Sequence, residues 1–417
     1  MAAGCIAVGG GCCGADIGNH FSMSLHVIEE PARATRGGFA LWALGFRPFY
    51  LLASAFAALS IPLWALQVTG WLGHAYLAGP VWHAHEMLFG FAQAVIVGFL
   101  FTAGRNWTNQ PTPTGASLAA LAALWLAARL LVLTPYGWLA ALANVAFPLA
   151  AAVALATPFV KARNRRNYFF VGLLLLMAAA CAAVHLTQLG VLDLPARHGL
   201  QTALDIVLFV VCVMGGRVIP MFTNNGVPGA AASRRPIMEA AALGSVLLVF
   251  VCDLLGVQGA APAAVALVAA SAHAARWLLW QPWKTLRVPL VWVLQLAYFW
   301  VPMHLLLRGL AEIGAVGTSI ATHALTVGAI GGLVIGMMTR TARGHTARPL
   351  RADAYDTAAF ALVLLAALAR VGIAALLPGQ AIVATLLSAA LWSAGFGIYL
   401  VRYLPVLTRT RLDGKPG

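Results

Sequence analysis

The chain has 417 residues, 61% of them hydrophobic and only 9% charged, with a net charge of +14. Soluble domains carry about 25% charged residues, so this composition, with a mean hydropathy of +0.86, excludes a soluble globular enzyme and indicates a polytopic membrane protein. The positive charge is no sign of nucleic-acid binding, because the basic residues lie in short loops between apolar runs, the pattern that sets membrane orientation.

The chain begins "MAAGCIAVGGGCCGADIGNHFS". This stretch lacks the basic start and continuous apolar core of a signal peptide. Met23 is the expected natural start, which makes residues 1–22 an extension. Three of the six cysteines lie here, at Cys5, Cys12 and Cys13. Cys181, Cys212 and Cys252 fall in apolar segments and read as buried structural thiols. No CxxC pair exists, so no zinc or disulfide framework is expected.

Residues 1–38 form an N-terminal segment. An apolar run of about 20 residues spans a bilayer as a helix. Twelve such runs follow, at 39–63, 78–102, 116–134, 138–159, 168–190, 200–222, 237–256, 260–280, 288–311, 317–339, 353–377 and 380–404. Only short turns, Val257–Gly259 and Pro378–Gly379, divide runs 7/8 and 11/12. The predicted fold is therefore an all-α bundle of twelve transmembrane helices in one domain, 39–404, with a tail at 405–417. Lys and Arg alternate by side. Arg33 and Arg36, Arg105, "KARNRR", Arg234 and Arg235, Lys284 and Arg287, the loop from Arg340 to Arg351, and the tail all fall on one side, against little beyond Arg197 on the other. Both termini are thus expected in the cytoplasm.

Helix 1 carries "GFRPFY", which puts Arg47 inside a span. There it can snorkel inward or bind an anionic group, such as a haem propionate or a lipid phosphate. Helix 2 opens with "VWHAHEMLFGF". Ionisable groups inside a span are costly and by default mark a functional site. On the predicted topology His83, His85, His185, His198, His304 and His323 share one depth near the outer face, His198 just before helix 6. His273 alone breaks the pattern inside the membrane. Neutral imidazole is the commonest metal ligand and an axial ligand of haem, so this layer is the expected metal or haem site. Residues i and i+2 of a helix point about 200° apart, so His83 and His85 serve two centres, or one ligates and the other supports it. Glu86 can orient an imidazole or carry protons. Asp205 lies seven residues past His198, on the same face and deeper, where a proton relay would run. Asp253, near the end of helix 7, is the other main carboxylate of the spans.

The inner ends of helices 2, 6 and 10 each carry an arginine: Arg105, Arg217 and Arg340. A histidine precedes each, His85, His198 and His323, by 20, 19 and 17 residues. This weak threefold repeat suggests three four-helix arcs. The three arginines are candidates for holding a quinol or lipid headgroup. Glycines in "GAIGGLVIG" (328–336) suit close helix packing, or the broken helices of a transporter.

"LGFRPFY", "WHAHEMLFGF", "GGRVIPMFT" and "GHTARPL" resemble the signature stretches of the NnrS family, from about Phe39 to the end of helix 12. Ala347 stands where the family pattern usually has glycine. The resemblance implies a bacterial inner-membrane protein holding haem, b-type by expectation, and copper, associated with nitric oxide metabolism and nitrosative stress. A more distant likeness is to haem–copper oxidases and nitric oxide reductases, which use twelve helices in three arcs with ligands on helices 2, 6 and 10. One departure is that helix 7 here has no histidine. Fold-level likeness does not confer function.

The expected activity is reduction of nitric oxide to nitrous oxide at a binuclear site, with electrons from quinol. His83, His85, His304 and His323 are the first expected ligands, then His185 and His198. Glu86 and Asp205 are the expected proton carriers. A haem protein that binds nitric oxide without turnover is the alternative from another class. A twelve-helix transporter is the third reading.

Overall fold

The structure is a computed structural model that describes residues 38–73, 76–415 and 417. The leader with its three cysteines, Arg33 and Arg36 lies outside the described residues, as does His74. The described residues are all-helical apart from one isolated pairing, between Phe39 and Arg409. In chain order the helices are α1 (Phe46–Val68), α2 (Gly79–Thr108), α3 (Gly115–Leu131), α4 (Gly137–Lys161), α5 (Phe169–Gln188), α6 (Ala196–Gly226), α7 (Pro236–Leu254), α8 (Ala260–Leu278), α9 (Pro289–Glu312), α10 (Thr318–His345), α11 (Ala354–Leu376) and α12 (Ala381–Thr408). Ten are long and apolar enough to cross a membrane. The other two are α3, a shorter apolar helix of 17 residues, and α8, which carries His273 and Arg276 within its 19 residues.

Local chemistry sets the boundaries. Proline stands in the first turn of α2, α7 and α9, where its missing N–H costs nothing. Asp353 and Asp356 form a reciprocal capping box at the start of α11. The turn between α7 and α8 needs positive φ at Gly256 and Gly259, which glycine adopts without a Cβ clash.

Two expected boundaries need correction. The first helix begins at Phe46, not at 39, so Arg47 and Pro48 lie in its first turn rather than mid-span. Proline is tolerated there because the N–H it lacks has no helical partner. Residues 39–40 instead run beside the tail, with Ala40 N–H donating to the Thr408 carbonyl at 2.8 Å. The sixth helix begins at Ala196, so His198 sits in its first turn rather than before it.

Neighbours in sequence pack together, and the first and last helices, α1 and α12, also lie side by side. Of the ten spans, α2, α9, α6 and α10 are the most enclosed, and α7 and α12 the least. Leucines and valines on α7 and α12 remain exposed, among them Leu247, Leu248, Val383 and Leu386. Outward apolar faces of this kind are what a lipid solvent requires.

The glycines of "GAIGGLVIG" admit large neighbours. A Cβ at Gly331 would lie 2.4 Å from the Trp392 ring, and Trp392 is itself tied by its indole N–H to the Ala57 carbonyl at 3.0 Å. The indole cannot retreat without losing that bond. Gly331→Ala is expected to cost about 1–3 kcal/mol, the usual price of overpacking. The check is the thermal unfolding midpoint of the purified variant in detergent.

Candidate metal centre

The proline-led start of α2 aims its two histidines apart. His83 points toward α1 and α10, and His85 toward α5. Directly after His85 the helix widens into a π-turn over Glu86–Ala92. The same happens directly after His323 in α10, over Ala324–Gly331, and in α11 over Leu368–Ile373. Each extra residue re-aims the side chains that follow, and such turns are frequent at functional sites. All three π-turns contribute to one cavity open to its surroundings, through Met87 and Phe91, Thr326 and Ile330, and Arg370. Its remaining wall is largely apolar and includes Ile61, Trp64 and Trp392.

His83 and His323 both line this cavity. Their ring centres are 6.3 Å apart and their planes lie within 9° of parallel. Trp64 stacks on His83 with centroids 4.6 Å apart. His323 Nδ1–H donates to the Ser319 carbonyl at 2.7 Å. A carbonyl only accepts, so that hydrogen sits on Nδ1 and the Nε2 lone pair is free. His83 Nδ1 is buried without a partner.

On the other face of α2, His85 Nε2 lies 3.1 Å from His185 Nε2, and Cys181 Sγ lies 4.0 Å from His85 Nε2. All three residues are buried, and one ligand atom from each falls within 4.8 Å of the others. Cys181 and His185 are four residues apart on α5, hence on one face. His85 Nδ1–H donates to Glu86 Oε1 at 2.8 Å, and Tyr76 Oη lies 3.0 Å from His185 Nδ1. The carboxylate fixes the tautomer of His85 with its Nε2 lone pair toward Cys181 and His185. This carboxylate–imidazole arrangement orients and strengthens a metal ligand. Glu86 in turn accepts from Arg129 Nη1 at 2.7 Å, and Arg129 reaches Asn144 through its other terminal nitrogen. Two imidazoles and a thiol form a soft set, suited to copper or zinc rather than magnesium or calcium. Cys181→Ala is expected to reduce retained metal roughly 10–100-fold, at least what losing an outer partner costs. Metal content per chain after dialysis checks this.

The other expected site residues lie elsewhere. His304 is buried, and its Nδ1–H donates to the Ala321 carbonyl at 2.8 Å, two residues before His323. His198, at the start of α6, belongs to neither grouping, and its Nδ1 is buried without a partner. Asp205 joins a charged cluster. It accepts from Gln201 at 2.9 Å and lies 3.9 Å from Arg308, which also pairs with Asp253 and, at 3.6 Å, with Glu312. Arg47 is fully buried and donates to the carbonyls of Leu407, Arg409 and Gly417 at 2.9, 2.8 and 2.6 Å. It caps the carbonyl end of α12, where a cation also meets the negative end of the helix dipole. Arg217 donates to Asn167 at 2.9 Å and lies against Trp107, Phe169 and Phe170. Arg340 covers the Phe222 ring at 3.7 Å, and Arg105 sits in the last turn of α2. His273 bonds to the Ala242 carbonyl and to Tyr298 Oη at 3.0 and 2.8 Å, a fully satisfied packing role.

Sequence reasoning missed Arg129, Tyr76 and Arg370 and took Cys181 for a structural thiol. An arginine within the apolar "LAARLLV" was a readable signal. So was the four-residue interval from Cys181 to His185.

No curated protein matches the chain. A protein-family model described as "NnrS protein" matches residues 40–411, nearly the whole of the described chain. The motifs around the two histidine groups, "WHAHEMLFGF" and the α10 segment leading to "GHTARPL", lie inside that match, and the chain belongs to the NnrS family.

Proposed function

We propose that this is a haem–copper oxidoreductase of the bacterial inner membrane, with both termini in the cytoplasm, that reduces nitric oxide. The observation that carries the reading is a pair of parallel imidazoles, His83 and His323, facing across an apolar cavity beside the His85–His185–Cys181 group. The cavity fits haem on two counts. His83 and His323, with parallel rings whose centres are 6.3 Å apart, would be the residues to hold its metal, each through a ring nitrogen. The free Nε2 of His323 is the donor such a bond needs. The second group fits copper by its mixed nitrogen and sulfur donors.

When bound, these groups supply one-electron transfer and a Lewis-acidic position for a small diatomic. The chain supplies the rest. Glu86, held by Arg129, keeps His85 in its ligating tautomer. Tyr76 Oη, 3.0 Å from His185 Nδ1, can accept that nitrogen's hydrogen when His185 Nε2 is a ligand. Trp64, Phe91 and Trp392 exclude water from the cavity. The overall reaction takes two nitric oxide molecules, two electrons and two protons to nitrous oxide and water. Asp205, with Asp253 and Arg308, is a proton-exchanging cluster. His304 and His198 are reserve ligands. Quinol is the electron donor, with Arg105, Arg217 and Arg340 offered to its headgroup or to lipid.

One observation favours a second reading, a protein that binds nitric oxide without turnover. Glu86 is engaged by both Arg129 and His85, which suits a fixed anion better than a proton carrier. Purified protein reduced with a quinol analogue and given nitric oxide without oxygen separates the two. Steady nitrous oxide establishes the reductase. A shifted Soret band without product establishes the binding protein. Absence of haem and copper from active, folded protein overturns both and returns the transporter.

A further inference from the structure

We propose that Arg370 is the anion-binding residue of the cavity, the group that receives a carboxylate carried by the ring-shaped ligand between His83 and His323. This rests on the haem reading above and adds to it the residue that grips the ligand's polar edge.

Arg370 is the charged residue among those lining the cavity, if the two imidazoles are neutral. It is brought there by the π-turn of α11, as the other two π-turns bring apolar walls. Its Nη2 donates to Ser319 Oγ at 3.2 Å, and the same Ser319 accepts from His323 through its carbonyl. The guanidinium and the imidazole are therefore held by one residue, at one end of the cavity.

The fully buried arginines among the described helices have strong acceptors: Arg129 pairs with Glu86, Arg276 with Glu239, and Arg47 with three carbonyls. Of the half-buried ones, Arg308 pairs with Asp253, Arg217 donates to the neutral amide of Asn167, and Arg340 lies over the Phe222 ring. Arg370, half-buried at the cavity wall, lies within ion-pair distance of no carboxylate among the described residues and donates to a neutral hydroxyl. A guanidinium has five donors, and a cation in a span is costly without a counter-charge. A carboxylate on the ligand meets that need through a paired, charge-assisted geometry that arginine favours. The apolar wall then takes the ring, and Arg370 sets which edge faces the end of the bundle.

The test uses the full-length chain made in haem-starved cells, loaded in detergent with haem or with haem dimethyl ester, in which both carboxylates are capped. Soret titration reads the affinity. The wild-type chain is expected to bind haem at least about tenfold more tightly than the ester. In Arg370→Gln that gap closes, and in Arg370→Lys it is partly kept. Equal binding of haem and ester by the wild-type chain overturns the proposal while leaving the haem reading intact, and needs no variant to fold. A gap that persists undiminished in Arg370→Gln puts the anchor on another residue and also overturns it. A phospholipid retained by wild type in native mass spectrometry, lost in Arg370→Gln with haem and ester bound alike, assigns Arg370 to a lipid headgroup instead. A wild-type chain that takes up neither compound overturns this proposal and the haem reading together.

Discussion

His323→Ala and, separately, His83→Ala are expected to abolish the Soret band while the protein still inserts and elutes as a folded species. Both side chains project into the cavity, and neither bridges two helices by a hydrogen bond: His323 bonds within its own turn, and His83 Nδ1 has no partner. Removing either therefore leaves no buried polar group of another helix unpaired, and the stability change stays within about 1–2 kcal/mol, in the common range for a point mutant. If haem occupies the cavity, either variant removes one of the two residues that would hold it. His273→Ala is the informative contrast. It removes one donor from the Ala242 carbonyl, which keeps Ser245 Oγ, and one partner from Tyr298, which keeps Arg276, so it is expected to destabilise by about 0.5–1.5 kcal/mol for each lost bond and to leave haem content per folded chain unchanged. Haem per chain and the unfolding midpoint, measured on the same samples, check both. A full Soret band in either cavity variant would refute the ligand assignment.

Arg129→Leu is expected to be the most damaging single change near the second group. Arg129 and Glu86 are 5% and 1% exposed and 2.7 Å apart. Removing the cation leaves a buried carboxylate without its counter-charge, a loss of about 3–5 kcal/mol. Relief comes only if Glu86 takes up a proton, and a neutral carboxyl is a weaker acceptor for His85 Nδ1–H. Metal retention at the His85–His185–Cys181 group should then fall roughly 10–100-fold, as for other partners one bond removed from a metal. Combining Arg129→Leu with Glu86→Gln removes both charges and should recover most of the stability without recovering the metal. If the double variant is no more stable than the single one, the pair is not the coupled unit described here.

Much of the fold was readable in the residues. Twelve apolar runs became twelve helices because backbone groups in lipid must be satisfied within each segment, so run length and hydropathy are nearly the structure. The divergence of His83 and His85 followed from the angle between residues two apart on a helix. The errors fell where chain ends meet other parts of the molecule. Residues 39–45 are as apolar as a span, yet 39–40 run beside the tail and 41–45 turn into the helix. Arg47 was offered to an anionic ligand, and the structure commits it to three carbonyls more than 350 residues away in sequence.

The sequence by itself determined the membrane class, the helix count and the family, because each depends on composition, periodicity or a local motif. Only the tertiary structure decided which histidines meet. Six were expected at one depth, but depth says nothing of rotation or neighbour. The π-turns after His85 and His323, the approach of α5 to α2, and the reach of Arg129 across to Glu86 separated them into His83 with His323 and His85 with His185 and Cys181. Those pairings depend on which helix faces which, and helix packing is a property of the whole bundle that no single stretch of the chain encodes.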